Sequence, residues 1–502
     1  MLNIKAETRY SAESLFFYDI LLDIGYTWQN MLIGRKKEIT LLQDILQSNL
    51  PEFIAIYGRR RVGKTYLISE FFKDKGIYFE LTGRKIANKS AQLSNFSTVF
   101  ADTFNQGKQS ESPKDWDQAL NILRYKINEI DDSKKIILFF DELPWLASRK
   151  SGFLEALDLF WNRYMSRKNN IIVIVCGSAA EWMIKKIVSN KSGLHNRLTK
   201  PPINLMPFSL KETEDYLASR GVLLDRKQIV DIYMALGGVA YYLNLVPRGK
   251  SSAEVISNLF FSEAAPLLTE FHRLFNSLYD NPERHLEIIE TLAQTHQGMT
   301  QTKLFHQVKK LSPGGSAVAV LQELEHCGFI STIPQYGKIK KETYYRLMDP
   351  FSLFYLKWVK NIKNIPENYW TRKKASQSYN AWAGYAFENL CFQHYPQIIK
   401  ALELSVVATP KSSWSSKEAQ IDLIIDRADK CINLCEIKFW DDEFVIDKDY
   451  AQVLNHKKQI FKSTTQTKKS LFTTLITTYG VKKDKNYLNS VDSQLTLDAL
   501  FS

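Results

Sequence analysis

The segment that most restricts the fold is FIAIYGRRRVGKTYLISEFF, from Phe53 to Phe72. An apolar run ends at Tyr57. GRRRVGKT, Gly58 to Thr65, then fits the pattern G-x-x-x-x-G-K-[ST] and opens a helical stretch. Two glycines let a backbone curl around an oxyanion with its N–H groups turned inward. The helix that follows offers its positive end to the same anion. Lys64 is then the ammonium for the β- and γ-phosphates, and Thr65 the hydroxyl ligand of Mg²⁺. The expected ATP-holding residues are Gly58, Arg59, Arg60, Arg61, Val62, Gly63, Lys64, Thr65 and Tyr66. The strand before and the helix after separate this motif from a chance turn. They require an α/β domain.

A second apolar run, IILFFDELPWL, ends in Asp141 and Glu142. An acid at the carboxyl end of a buried strand is costly unless it works. Asp141 is expected in the Mg²⁺ shell, and Glu142 is expected to polarise the attacking water. The strand GIYFEL is expected to lie between the phosphate-loop strand and the Asp141 strand. A further run, IIVIVCGSAAEWM, carries Ser178 at its tip, placed either to sense a γ-phosphate or to cap the next helix. Continuous apolar runs separated by helical stretches argue a parallel sheet covered on both faces.

IGRKKEITLL, YGRRRVGKT, FFDELPWL, CGSAAEWM and LGGVAYYL together resemble the archaeal-type ATPases, relatives of the AAA+ and STAND proteins, over residues 31–360. The resemblance implies the additional-strand division of P-loop ATPases, with Glu142 as base and Ser178 as a first sensor. It also implies that Arg197 either reaches a neighbour's nucleotide in a homo-oligomer or is a plain surface arginine. Relatives often carry Gly-Gly-x-Pro where this chain has Gly237-Gly238-Val239-Ala240.

Three helical stretches and a hairpin then resemble a winged helix. Its best groove-facing helix, from Gly314, carries Glu323 and Glu325 and no arginine. Lys338, Lys340 and Lys341 of the wing suit phosphates. The alternative is a winged helix used for packing.

Nearer the C-terminus, WAGYAFENLCFQHY is a helix with Glu388, and AQIDLIIDRADKCINLCEIKFW reads as two strands. Glu436 and Lys438 are two apart and share a face. With Asp422 and Glu388 they form a candidate site for Mg²⁺ or Mn²⁺, with Lys438 beside the attacking hydroxide. Gln452 is a further candidate. Helix, Asp strand, Glu-x-Lys strand and helix resemble the PD-(D/E)XK nuclease fold, with an inert nuclease-like domain as the alternative. Lysines in NHKKQIFKS, TKKS and VKKDK read as a phosphate-holding face or as a solvated surface.

The fold expected is α/β and multidomain. A leader spans 1–30, either a short helix or a dispensable extension. A P-loop NTPase parallel sheet spans 31–208, a helical lid 209–282 and a winged helix 283–360. A linker spans 361–380, and a restriction-endonuclease-like α/β domain 381–502. The net charge of +12 fits a polyanion, DNA rather than RNA, or simply a lysine-rich composition. Five scattered cysteines without a Cys-x-x-Cys pair argue against a zinc site and for a reducing compartment. No run of 18 apolar residues and no signal-peptide pattern appear, so no membrane partner and a cytoplasmic location are expected.

Overall fold

The computed structural model describes residues 32–502 except 86, 110, 149, 189–192, 280, 312–313, 339–341, 363–364, 367 and 408–410. The expectations for residues 1–30, Lys340 and Lys341 lie outside the described residues.

Five parallel strands form the first sheet: β1 (Glu52–Tyr57), β2 (Ile77–Thr82), β3 (Ile136–Asp141), β4 (Ile171–Gly177) and β5 (Ile203–Asn204). All residues of β3 and β4 are buried, as strands covered on both faces must be. Their order is β2-β3-β4-β1-β5. This corrects the expectation for GIYFEL. That segment is β2 at the sheet edge, and β4 is the strand between β1 and β3. Sequence order misled because the crossover after β1 runs to the far edge of the sheet at β2, and β3 and β4 then fill back toward β1.

The lid is helical. Its first helix, Leu210–Ser219, starts on a capping box in which Ser209 and Glu212 satisfy each other's backbone N–H. Helices Arg226–Leu236, Ser252–Phe260 and Glu270–Leu278 follow. The next module has helices Pro282–Leu292, Gln301–Gln307 and Gly315–His326. Its antiparallel sheet comprises β6 (Met299–Thr300), β7 (Ile330–Ile333) and β8 (Tyr344–Leu347), in the order β6-β8-β7. The Gly315–His326 helix packs against the short Ala180–Met183 helix of the ATPase-like sheet. Glu323 pairs with His285, and Glu325 accepts from Thr332. Both acids are therefore bound within the module.

The C-terminal sheet contains β9 (Ser412–Ser415), β10 (Gln420–Asp426), β11 (Cys431–Lys438), β12 (Ser470–Thr477) and β13 (Ser493–Leu495). β9, β10 and β11 pair antiparallel, and β11, β12 and β13 pair parallel. Chain 334–336 of the preceding module hydrogen-bonds to Ser413 of edge strand β9: the Tyr336 N–H donates to the Ser413 carbonyl at 2.8 Å, and the Ser413 N–H to the Pro334 carbonyl at 3.1 Å.

Residues 368–380, expected as linker, are packed. They include the Tyr369–Lys374 helix, whose buried Trp370 stacks on Phe261 of the lid at 5.6 Å. Trp358 and Tyr379 meet the same indole edge-on. The linker expectation fails here because the aromatic anchors of this segment pack on the lid. One hydrophobic cluster runs from Phe208 through the lid, the middle module and one face of the C-terminal sheet to Phe501.

Candidate functional sites

Gly58 and Gly63 hold φ of 145° and 96°. A Cβ on Gly58 would lie 2.3 Å from the Leu205 carbonyl oxygen, so only glycine fits there. The helix Lys64–Phe72 starts immediately after Gly63. Lys64 is buried, and its Nζ donates to the Gly58 and Arg59 carbonyls at 2.9 and 3.1 Å. The Thr65 hydroxyl donates to Asp141 Oδ2 at 2.8 Å, so the two expected Mg²⁺-shell groups are neighbours. These oxygens suit the hard cation that accompanies a triphosphate. Asp141 also takes the Glu142 N–H at 2.9 Å. Glu142 sits in the left-handed region at φ 46°. Its Oε2 accepts from the Ser178 hydroxyl at 2.9 Å and from Trp145 Nε1 at 3.2 Å. Ser178 thus contacts the expected base directly.

The three loop arginines have different surroundings. Arg60 is exposed. Arg61 pairs with Glu270 of the lid at 2.5 Å and lies 4.2 Å from the Tyr241 ring centroid. Arg59 is fully buried and pairs with Asp349 at 2.6 Å. Arg35, from the first quoted motif, donates to the Met206 and Val62 carbonyls and so braces the loop from behind. The Gly237–Ala240 motif closes on the same loop. Gly238 packs so tightly on Phe208 that a Cβ would meet its carbonyl at 1.9 Å, and the Tyr241 N–H donates to the Arg61 carbonyl at 3.3 Å. Val62 is buried, whereas Tyr66 is half exposed. Arg197 is partly exposed and lies 3.4 Å from Asp158 of the same sheet domain.

In the C-terminal module the β10–β11 ladder reaches Leu423 opposite Cys435. One step beyond, the Asp422 carboxylate accepts the Ile437 N–H at 3.0 Å. Glu436 is buried and paired with Lys457 at 2.7 Å, and the Lys438 ammonium stands 3.9 Å away. Tyr450 OH lies 3.5 Å from the same carboxylate. Glu388 pairs with Arg346 of β8 at 2.9 Å. Burial, then the Asp422 charge, pushes Glu388 up to about 7 despite Arg346 and Lys438. Burial and Asp422 likewise push Glu436 up to about 6 against Lys457 and Lys438. Glu388, Asp422, Glu436 and Lys438 are therefore electrostatic neighbours.

The donors are hard oxygens, but no three His, Cys, Asp or Glu side chains among the described residues close into a metal cage. Protein cations take up the charge instead: Arg346 and Lys457 would have to release Glu388 and Glu436 before these oxygens could hold Mg²⁺ or Mn²⁺. Gln452 is exposed; Tyr450 and Lys457 of the same Lys448–Thr465 helix approach Glu436 in its place. Lys457 had counted among the surface lysines. Lys458, Lys462, Lys468 and Lys469 line a surface hollow of about 410 Å³. Between β7 and β8, Lys338 lies 3.6 Å from Glu342.

The sheet order, phosphate loop and Asp-Glu strand define a P-loop ATPase domain. Residues 32–246 match an ATPase domain found predominantly in Archaea, and through this domain the chain belongs to that ATPase family. Residues 355–453 match a second family, archaeal and bacterial proteins of unknown function. The chain is similar to the uncharacterized protein MJECL04 of Methanocaldococcus jannaschii, with 24% identity over 84% of this chain and 90% of that protein. It also resembles the uncharacterized ATP-binding protein MJ0423 of the same organism, with 45% identity over 9% of this chain and 80% of that one. Among solved structures it is similar to the Walker-type ATPase paby2304 of Pyrococcus abyssi, at 16% identity and a TM-score of 0.49, covering 66% of this chain and 97% of that one. No helix among the described residues is long and apolar enough to cross a membrane.

Proposed function

We propose that the chain is a Mg²⁺-dependent ATPase whose nucleotide state controls a C-terminal, nuclease-like module acting on DNA. The observation that carries the ATPase half is the joined set Lys64, Thr65, Asp141 and Glu142 at the ends of β1 and β3. Bound Mg²⁺ would supply charge for the phosphoryl oxygens, with Thr65 and Asp141 as its protein ligands. Lys64 leaves its loop carbonyls for the phosphates. Glu142 takes the water's proton once Ser178 releases its Oε2. Arg197 serves a neighbouring subunit if the protein assembles into rings.

The C-terminal half rests on the adjacency of Glu388, Asp422, Glu436 and Lys438 at the point where β10 and β11 stop pairing. The lysine-lined hollow lies at the other end of β11, where Ser470 pairs with Cys431, and would hold a polyanion at a distance from these carboxylates. The middle module, read as a winged helix, serves as the connector. A second reading, a non-cleaving regulator switched by ATP, is favoured by one observation: Arg346 and Lys457 already hold Glu388 and Glu436. A cleavage assay on DNA and RNA separates the two readings, run with Mg²⁺ or Mn²⁺, with and without ATP. Metal-dependent cutting that disappears in Glu436→Ala supports the nuclease. Cutting unchanged in that variant removes the site.

A further inference from the structure

The phosphate loop and the C-terminal carboxylates are joined by one short piece of chain, Arg346-Leu347-Met348-Asp349 at the end of β8. Arg346 reaches one way, to Glu388 at 2.9 Å. Asp349 reaches the other way, to Arg59 of the phosphate loop at 2.6 Å. The two residues are three apart, at most about 10 Å of extended chain. We propose that this segment is a relay: Arg346 is a positioning residue of the C-terminal site, and Asp349 makes that positioning answer to the nucleotide.

The output end is fastened along the Gln377–Gln393 helix, which carries Glu388. The Leu347 carbonyl accepts from Asn389 at 3.1 Å, and the Met348 carbonyl accepts from Gln393 at 2.9 Å. Three consecutive residues of the segment thus each hold a different position of one helix. Arg346 is also packed over the rings of Tyr385 and Phe392 of that helix. A shift of the segment must move the helix or break several buried contacts.

The input end is tied to the phosphates. Lys64 Nζ donates to the Arg59 carbonyl at 3.1 Å. Drawing Lys64 onto a triphosphate removes that bond from Arg59. Arg59 has little freedom to absorb the change. It is fully buried, with its guanidinium 4.8 Å from the Phe329 ring and paired with Asp349. Asp349 is equally held. Its Oδ2 accepts from the Ser352 N–H and hydroxyl, capping the helix Pro350–Phe354. A charge pair this well buried is costly to separate, so a movement of Arg59 is passed to Asp349.

The relay rests on Glu388, Asp422 and Glu436 being a working site, so its test reads coupling rather than cleavage. Amide hydrogen exchange is followed over residues 384–393 of the full chain, with and without Mg²⁺ and a non-hydrolysable ATP analogue. In the wild type the analogue changes exchange there. In Asp349→Asn, which keeps an acceptor for Ser352, the analogue still binds within about threefold but the change at 384–393 is lost. Retention of that change in Asp349→Asn, or binding without change in the wild type, overturns the relay while leaving the ATPase reading intact. Failure of the wild type to bind the analogue overturns both.

Coupling is also reciprocal. Glu388→Gln alters analogue affinity by about fivefold or more, the lower end of typical allosteric coupling. Affinity equal to wild type overturns the proposal even if Asp349→Asn fails to fold.

Discussion

Acid should loosen the attachment of the C-terminal module to the lid, and His394 sets the amount. His394 ends the helix bearing Glu388. Its Nε2 accepts the N–H of Leu210, the first residue of the first lid helix, at 3.0 Å, and its Nδ1 lies 2.9 Å from the Leu390 carbonyl. Since Nδ1 must donate to that carbonyl, Nε2 is an acceptor and the ring is neutral. Burial pushes the group from 6.5 down to about 4. Its contribution is therefore complete above pH 6.5 and is lost as the pH falls toward 4. The limiting loss is about 3.4 kcal/mol, at about 1.4 kcal/mol per pKa unit. At pH 5 the unfolded chain is mostly protonated at this residue and the folded chain is not, which gives a loss of about 2 kcal/mol. Glu388 and Glu436 act in the opposite direction. Their raised values, from 4.5 to about 7 and about 6, mean that folding regains stability as pH falls through that range. The total pH profile hides His394 for this reason, and the variant difference isolates it. His394→Gln keeps an acceptor for Leu210 but cannot titrate. Urea unfolding of both proteins at pH 7.5 and pH 5 should show the variant gaining about 2 kcal/mol relative to wild type at the lower pH. A pH-independent difference, or a His394 ring signal titrating near 6.5 in the NMR spectrum of histidine-labelled protein, would refute the reasoning.

Lys64→Ala should abolish most ATP binding, because the loop loses the ammonium that faces the phosphates; a fluorescent ATP analogue checks this, and equal affinities remove the assignment. Glu142→Gln should bind ATP yet turn it over about 10²–10⁴-fold more slowly, the usual cost of removing a general base, as read by phosphate release. Asp349→Ala should destabilise the fold by about 3–5 kcal/mol, because Arg59 stays buried without its counter-charge. A thermal midpoint within a degree of wild type would contradict that.

The nucleotide site was largely legible because its chemistry is contiguous. Gly58 to Thr65 is one loop, and Asp141 and Glu142 are adjacent at a strand end. The spatial position of β2 was not legible, since strand order depends on crossovers that leave no mark on an apolar hexamer. The partners of the loop arginines were equally hidden. Arg59 and Asp349 are 290 positions apart, although Asp349-Pro350-Phe351-Ser352 carries a helix-start signature that could have marked the aspartate as structural. In the C-terminal module, alternation placed Glu436 and Lys438 correctly on one face. It could not reveal that Lys457, one lysine among many on an amphipathic helix, turns inward to Glu436. Nor could it reveal that Arg346 of another module meets Glu388. Such inward-turned cations are identified by their partners, and those partners are distant in sequence.

The aromatic seam of Phe261, Phe354, Trp358, Trp370, Tyr379 and Trp382 has a consequence for how the chain can be divided. These rings come from the lid, the end of the middle module, the 361–380 segment and the helix bearing Glu388, and they meet in one cluster. The last residues return to the lid as well, with Arg226 of the lid over the Phe501 ring at 4.8 Å. The functional modules are therefore not separable folding units. A fragment beginning at residue 381 would keep only Trp382 of these six rings and expose the surface that the other five cover. Cutting there should give a sticky, incompletely folded piece. The lid and everything after it should fold and unfold as one cooperative body. Evolution could exchange the C-terminal carboxylate module of such a chain only by rewriting the lid with it.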